Sequence, residues 1–281
     1  MEKFEGWIGK KEIITDYVYT KPALMMQAIL NQSHSKLNSL PHLNHWFYCL
    51  PTVNNTELAI DGHPKKGGFL PPIPFPKRMW AGSRLIFLQS IQFNQKIKRE
   101  SEITQVKLKR GKSGEMYVVT VKHLTFVNDI LAIIEEQDII YRNATNQIQT
   151  TPPIIEPIAN TQYEVSYKKA FPINTVTLFR YSALTFNSHR IHYDRPYSIE
   201  HEGYPSLVIH APLLATLLLQ TFKEENPKKH ITHYEFKAVN PAFDFDEILF
   251  CGNIHNDNGE LWIEKSNGQI CMKAKVKFLG D

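Results

Sequence analysis

Apolar and polar positions in the first half of the chain predict one helix followed by three strands. The helix is expected at residues 21–31, and the strands at 103–109, 116–126 and 131–141. Residues 111–114 and 128–129 separate these strands, and the Gly, Asn and Asp they contain tolerate the positive φ of tight turns. The first half is therefore expected to form an antiparallel meander preceded by a helix.

The second half of the chain repeats this plan. Its helix is expected at 211–222, and its strands at 248–254, 261–265 and 270–278, with turns at 256–259 and 267–268. The helix is apolar on nearly all of its faces, which is typical of a helix that is buried on every side. The pattern indicates an α+β fold with two antiparallel sheets, each wrapped around a central helix.

A proline-rich stretch separates the two halves. Residues 150–157 contain three prolines between two apolar runs. Proline has no amide proton to donate to a strand ladder, so the stretch predicts an extended connector. We place a first domain at 1–146, a linker at 147–162 and a second domain at 163–281.

The charge of the chain indicates a small anionic ligand rather than a nucleic acid. Its 281 residues include 32 lysines and arginines and 28 acidic residues, and the two signs are interspersed. Binding to a phosphate backbone would require a basic stripe with few acids beside it.

Cysteine content and hydropathy favour a cytoplasmic protein. The three cysteines include no CxxC pair, so we expect reduced thiols rather than a disulfide framework. The chain has no uninterrupted apolar stretch of about 18 residues, so we expect no membrane partner.

The densest group of titratable side chains lies at residues 186–194, which read Phe-Asn-Ser-His-Arg-Ile-His-Tyr-Asp. This segment precedes the apolar helix expected at 211–222. The first amides of a helix lack partners inside the helix and lie at the positive end of its dipole. They are suited to hold the oxygen of a developing enolate.

The order of aromatic residue, Asn, His and buried helix resembles the MaoC-like hydratases and dehydratases, whose motif is Gly-Asp-x-Asn-Pro-Ile-His. Asn187 stands where that motif has its acid, and His192 falls on its histidine. Residues 61–72, 78–82 and 135–142 resemble the subgroup of double hot-dog mesaconyl-C4-CoA and itaconyl-CoA hydratases, with their mitochondrial-type 3-hydroxyacyl-thioester dehydratase relatives. The resemblance implies a FAS1-like dehydratase first half that forms a lid and tunnel wall, and a second half that carries the active site.

The resemblance also implies a cofactor-free hydro-lyase that acts on a 2-enoyl-type acyl-CoA. Asn187 cannot take up a proton, so His192 is expected to perform both proton transfers while Asn187 orients water or the thioester. An amide near Ala211, where relatives usually have glycine, is expected to stabilise the enolate. The most specific expected substrate is a C5 dicarboxylic acyl group such as mesaconyl-C4-CoA or itaconyl-CoA, which would give citramalyl-CoA.

Five further side chains are candidates for substrate binding. Arg190 is suited to bind a carboxylate of the acyl group, but a structural ion pair with Asp194 is an equal alternative. Lys66 and Arg78 flank a glycine- and proline-rich loop that could receive CoA phosphates, although they could also be solvated surface charges. His189 and His210 are expected to orient their neighbours through hydrogen bonds.

Metal binding and other activities are the remaining alternatives. The HxxH pairs 189/192 and 230/233 predict no metal site, because no third ligand accompanies them and residues three apart on a strand face opposite ways. A fatty-acyl 3-hydroxyacyl-thioester dehydratase and an inactive acyl-CoA-binding protein stay open, whereas Asn187 argues against a thioesterase. The oligomeric state is open, with a homodimer as one option.

Overall fold

A computed structural model describes residues 4–32, 37–111, 114–143 and 165–280. Close approaches between Cα atoms divide the chain into two compact units. The first unit comprises Met1–Thr145 with Tyr181–His189, and the second comprises Asn146–Arg180 with Arg190–Asp281. The linker predicted at 147–162 lies outside the described residues, so the boundaries 1–146 and 163–281 stay a prediction.

The first unit is an antiparallel sheet with one α-helix. Its elements are β1 (Lys11–Tyr17), α1 (Thr20–Ile29), β2 (Lys77–Phe87), β3 (Lys96–Gly111), β4 (Gly114–Val127) and β5 (Ile130–Arg142), with short 3-10 helices at Glu5–Trp7, Asn44–Phe47 and Asn55–Glu57. The strands follow the order β1-β3-β4-β5-β2. Asn128 and Asp129 have φ values of 49° and 62°, which confirms the predicted tight turn between β4 and β5.

The second unit also contains five antiparallel strands, in the order β6-β8-β9-β10-β7. The elements described from residue 165 onward are β6 (Tyr167–Ala170), α2 (Thr175–Leu184), a 3-10 helix (Arg190–His192), α3 (Arg195–Glu200), α4 (Ala211–Glu225), β7 (His230–Ala238), β8 (Ile248–His255), β9 (Asn258–Lys265) and β10 (Ile270–Leu279). The three predicted strands correspond to β8, β9 and β10.

The two units have the same topology. In each one, the first strand comes first in the order, the strand that follows the longest helix comes last, and a three-stranded meander lies between them. The repeated plan expected from the apolar pattern is therefore present in the strand order.

Helix α4 is the centre of the second unit. Its buried apolar residues are Leu213, Leu214, Ala215, Leu217, Leu218, Leu219 and Phe222. The ring of Phe222 packs on that of Phe278 in β10 at 5.3 Å, and the Tyr234 hydroxyl in β7 donates to the Ala215 carbonyl at 3.0 Å. Burial of each Leu or Phe side chain contributes roughly 1.5–3 kcal/mol, so the position of this helix is firmly fixed. Among the described helices, none is long and apolar enough to span a bilayer.

A buried polar network lies in the first unit around Glu135. Its carboxylate accepts hydrogen bonds from His45 Nε2 at 3.2 Å, Trp46 Nε1 at 3.0 Å and Ser83 Oγ at 2.7 Å. Burial alone would raise the pKa of Glu135, but the hydrogen bond from His45 and the other donors lower it to about 2. The three donors thus stabilise an ionised carboxylate that is only 4% exposed.

Candidate active site

The turn that follows α2 sets the course of the segment 186–194. The amide of Phe186 donates to the Ala183 carbonyl at 3.4 Å and that of Asn187 to the Ser182 carbonyl at 2.8 Å, the two bonds of a Schellman motif. Phe186 has φ of 48°, in the left-handed region where glycine is usual. A side chain there costs roughly 1–2 kcal/mol, so surrounding contacts must hold the turn in place.

Asn187 stabilises the next turn with its own side chain. Its Oδ1 accepts a hydrogen bond from the amide of His189 at 3.0 Å, as in an Asx turn. The hydroxyl of Ser188 donates to the Gly62 carbonyl, which fixes the turn against the loop that follows Asn55–Glu57. An amide oxygen has two lone pairs, so this bond leaves the predicted orienting of water or thioester by Asn187 as a prediction for both Oδ1 and Nδ2.

The tautomer of His192 follows from its backbone contact. Nδ1 lies 2.7 Å from the carbonyl oxygen of Val208. A carbonyl oxygen can only accept a hydrogen bond, so Nδ1 carries the proton and Nε2 carries the lone pair. The amide of Val208 also donates to the Ile191 carbonyl at 3.0 Å, which ties the same two chain segments together. In neutral His192, the nitrogen that can accept a proton is therefore Nε2, and its use as a base stays a prediction.

His210 lies directly against His192. The two imidazoles stack with ring centroids 3.6 Å apart and planes inclined by 18°. His210 is only 1% exposed, and burial, followed by the charge of His192, holds its pKa well below the ordinary value. His210 is thus a neutral stacking partner for His192 at neutral pH.

The N-terminus of α4 begins immediately after His210. The first hydrogen bond of the helix runs from the amide of Leu214 to the His210 carbonyl at 3.0 Å, and Pro212 has no amide proton. The amides of Ala211 and Leu213 precede that bond, at the positive end of the helix dipole. His210 therefore connects the two features: its ring stacks on His192, and its backbone leads into the first turn of α4.

Arg190 forms an ion pair with Asp194. Its Nε and Nη2 lie 2.9 Å and 2.7 Å from Asp194 Oδ2, and its guanidinium lies 4.0 Å above the ring of Tyr197. Asp194 also caps α3 by accepting from the Tyr197 amide at 3.1 Å, and this bond, followed by Arg190, lowers the pKa of the carboxyl group. Of the two roles considered for Arg190, the ion pair is present, and the carboxylate clamp stays a prediction.

Lys66 and Arg78 support the loop they flank. Lys66 Nζ donates to the Ile73 carbonyl at 3.0 Å and to the Phe75 carbonyl, while Arg78 Nη2 lies 3.5 Å from the Pro64 carbonyl. Burial, followed by the charge of Arg78, lowers the pKa of Lys66. Both side chains therefore contact backbone oxygens, and their binding of CoA phosphates stays a prediction.

A cluster that sequence reasoning missed lies in the first unit at Asp61, His63 and His189. Asp61 accepts hydrogen bonds from the His63 amide at 3.0 Å and from His63 Nδ1 at 3.1 Å. The rings of His63 and buried His189 have centroids 4.0 Å apart. Burial dominates the lowered pKa of His63, so its ring is neutral. In the sequence, this cluster is indicated only by the Asp-x-His spacing of residues 61 and 63. That spacing lies in the stretch 61–72, which had been used only for the family resemblance.

The comparison with known protein families identifies relatives along the whole chain. The sequence model described as hydroxyacyl-thioester dehydratase type 2 matches residues 43–244. The mesaconyl-C4-CoA hydratase of Chloroflexus aurantiacus is 36% identical over 278 residues, which cover 98% of this chain and 98% of that relative.

Solved structures agree on the fold. A structure described as a MaoC-like dehydratase has a TM-score of 0.73 and 11% identity, covering 99% of this chain and 100% of its own. A Mycobacterium tuberculosis protein described as having a double hot-dog fold has a TM-score of 0.58 and 11% identity, with 97% and 96% covered. The predicted double hot-dog fold is confirmed.

Proposed function

This chain belongs to the hydroxyacyl-thioester dehydratase type 2 family, and we propose that it adds water to the conjugated double bond of a short acyl-CoA thioester. The observation that carries the proposal is the stack of His192 on His210 at the N-terminus of α4. A base whose tautomer is fixed and a set of helix amides are the two groups that such a hydration needs.

The proposed reaction begins with attack of water on the β-carbon of the thioester. His192 Nε2 removes a proton from the water as its oxygen bonds to Cβ, and the π electrons move to the thioester oxygen. The amide of Ala211 donates a hydrogen bond to the resulting enolate. The protonated His192 then returns the proton to Cα, which completes the addition. These steps use a side chain and a backbone amide, so we propose no cofactor beyond the CoA of the substrate.

The neutral state of His210 supports the use of one histidine for both proton transfers. During turnover His192 becomes an imidazolium, and a second positive ring stacked at 3.6 Å would oppose that charge. His210 is held neutral by burial, so it imposes no such repulsion. His192 can therefore alternate between base and acid without a second acidic residue at the position of Asn187.

The proposed substrate is a C5 dicarboxylic acyl thioester, with mesaconyl-C4-CoA first and itaconyl-CoA second. Support comes from the 36% identity to a mesaconyl-C4-CoA hydratase over nearly the full chain. A second candidate is the reverse reaction on a 3-hydroxyacyl thioester, which the description of the matching family favours. The same base and amide serve both directions by microscopic reversibility. The homodimer and the cytoplasmic location stay predictions.

One assay tests this function. Purified protein is incubated with mesaconyl-C4-CoA, itaconyl-CoA or crotonyl-CoA while conjugated thioester and free thiol are followed separately. We expect loss of the conjugated thioester of mesaconyl-C4-CoA with no release of thiol. Thiol release would instead identify a thioesterase, and preference for crotonyl-CoA would contradict the dicarboxylic substrate. No turnover with any of the three would favour an acyl-CoA-binding protein.

A further inference from the structure

The cluster of Asp61, His63 and His189 contains three potential metal ligands on two distant parts of the sequence. A carboxylate oxygen and one nitrogen of each imidazole all lie within 4.8 Å of one another. His189 is buried, and the side chains of Asp61 and His63 are only 16% and 22% exposed. Three converging donors in a largely enclosed position are what a small cation requires.

We propose that Asp61, His63 and His189 bind a divalent transition-metal ion, with Zn²⁺ as the preferred occupant. Two imidazoles and one carboxylate are a ligand set that Zn²⁺ accepts, with a fourth position left for water. Bonds of roughly 2.0–2.2 Å place neighbouring ligands about 3.3 Å apart, so the donors must approach one another by up to about 1.5 Å.

Existing contacts keep the segments that carry the ligands close together. Asp61 fixes the ring of His63 through two hydrogen bonds, and Ser188 bonds to the carbonyl of Gly62, between the two ligands of the loop. An ion would replace the hydrogen bond between Asp61 and His63 Nδ1, or leave it as an outer bond if Nε2 is the ligand. In both cases it would cross-link the loop at 61–63 to the turn at 187–189.

The surrounding charges limit the affinity of the site. Asp61 supplies the one negative charge among the three ligands. The positive charges of Arg78 and Lys66 act electrostatically on His63, and they would also repel a bound divalent cation. We therefore expect weaker binding than at structural zinc sites, whose thiolate ligands contribute more negative charge. The site would stabilise the loop and the turn, and the proposed hydration does not depend on it.

Titration calorimetry with ZnCl₂ on chelator-treated full-length protein tests the site. We expect one ion per chain, and a rise in Tm of several degrees at saturating Zn²⁺. Removing a residue that only hydrogen-bonds to a metal ligand lowers metal affinity roughly 10–100-fold. Removing a ligand itself should cost more, so His63→Ala and Asp61→Asn should each lower the Zn²⁺ affinity at least about 100-fold. His233→Ala, which removes the exposed HxxH pair on β7, is the matched control and should bind as the parent does.

Two results would overturn the proposal. One is the absence of Zn²⁺ binding by the parent protein, and the other is unchanged affinity in Asp61→Asn and His63→Ala. Asp61→Asn preserves side-chain size, so its Tm without metal shows whether lost binding reflects lost folding. If both variants unfold, a third measurement uses His189→Gln. Co²⁺ is added to this variant and to the parent protein, and their visible absorption spectra are compared. Identical spectra would count against the site. None of these readouts requires hydratase activity.

Discussion

The imidazole of His192 stacks on that of His210 with 3.6 Å between ring centroids, and His210 is the residue that precedes the first turn of α4. The base proposed for catalysis is thereby positioned by the same helix whose amides are proposed to hold the enolate. Since most side chains of α4 are buried in the second unit, the two proposed functions share one rigid support.

His192→Ala should keep the fold and lose at least about a hundredfold in kcat/KM, because general acid–base help is worth roughly 10²–10⁴ in rate. Steady-state kinetics with mesaconyl-C4-CoA, together with circular dichroism, measures both. His233→Ala serves as a control for loss of a histidine, since His233 is exposed on β7. A folded His192→Ala protein with near-parental turnover would exclude this residue from the chemistry.

Ala211→Pro should lower kcat by roughly 10²–10³, because it deletes the amide proposed to bind the enolate oxygen. Proline is favoured at the first position of a helix, and the extended backbone of His210 (φ −61°, ψ 127°) is compatible with a following proline. The helix should therefore survive the substitution. Ala211→Gly retains the amide, so its kcat should stay close to that of the parent. Equal kcat values for the two variants would contradict the proposed oxyanion contact.

Arg190→Gln and Asp194→Asn should each lower the free energy of unfolding slightly and by similar amounts, because the two side chains form a partly exposed ion pair that solvent screens. Chemical denaturation measures these differences. Neither variant should change the ratio of KM for mesaconyl-C4-CoA to KM for crotonyl-CoA. A rise in KM for the dicarboxylic substrate alone, confined to Arg190→Gln, would instead support the carboxylate clamp.

The free energy of unfolding should decrease at acidic pH because Glu135 becomes protonated. Its pKa is about 2 in the folded protein, below the value of 4.5 for an unperturbed glutamate, so its ionised form stabilises the fold above pH 4.5. This contribution, on the order of 3 kcal/mol, is lost as the pH falls from 4.5 towards 2. Urea unfolding of the parent and of Glu135→Gln between pH 5 and pH 3 tests this. An equally steep pH dependence in the variant would assign the effect to other groups.

Elements with strong local signals were predicted from the sequence. Asn128-Asp129 specifies its own turn, and the all-round apolar surface of residues 211–222 requires burial wherever the helix lies. Strands β1, β2 and β6 were not predicted. Their sequences mix polar and apolar residues, and β1 and β6 are largely exposed or half-buried. Such strands depend on a neighbouring strand more than on their own pattern.

In the candidate site, too, residues with a local sequence signal could be predicted, whereas contacts between distant residues could not. His192 belongs to the contiguous motif at 186–194, and Ala211 begins the apolar helix, so both could be proposed from the sequence, and their roles stay predictions. The contacts of His63 with His189 and of Glu135 with His45 join residues 126 and 90 positions apart, and no spacing rule relates them. The left-handed turn at Phe186 was also missed, because its residue type favours other conformations and only the folded chain stabilises it.

The shared strand order of the two units is what gene duplication and fusion would produce. Two sheets with one connectivity are what the fusion of two copies of a shorter ancestral gene leaves behind, even after their sequences have drifted apart. Strand β5, which corresponds to β10 by its place in the order, carries the buried carboxylate of Glu135, whereas β10 contains no acidic residue, so the two units differ in chemistry at equivalent strands.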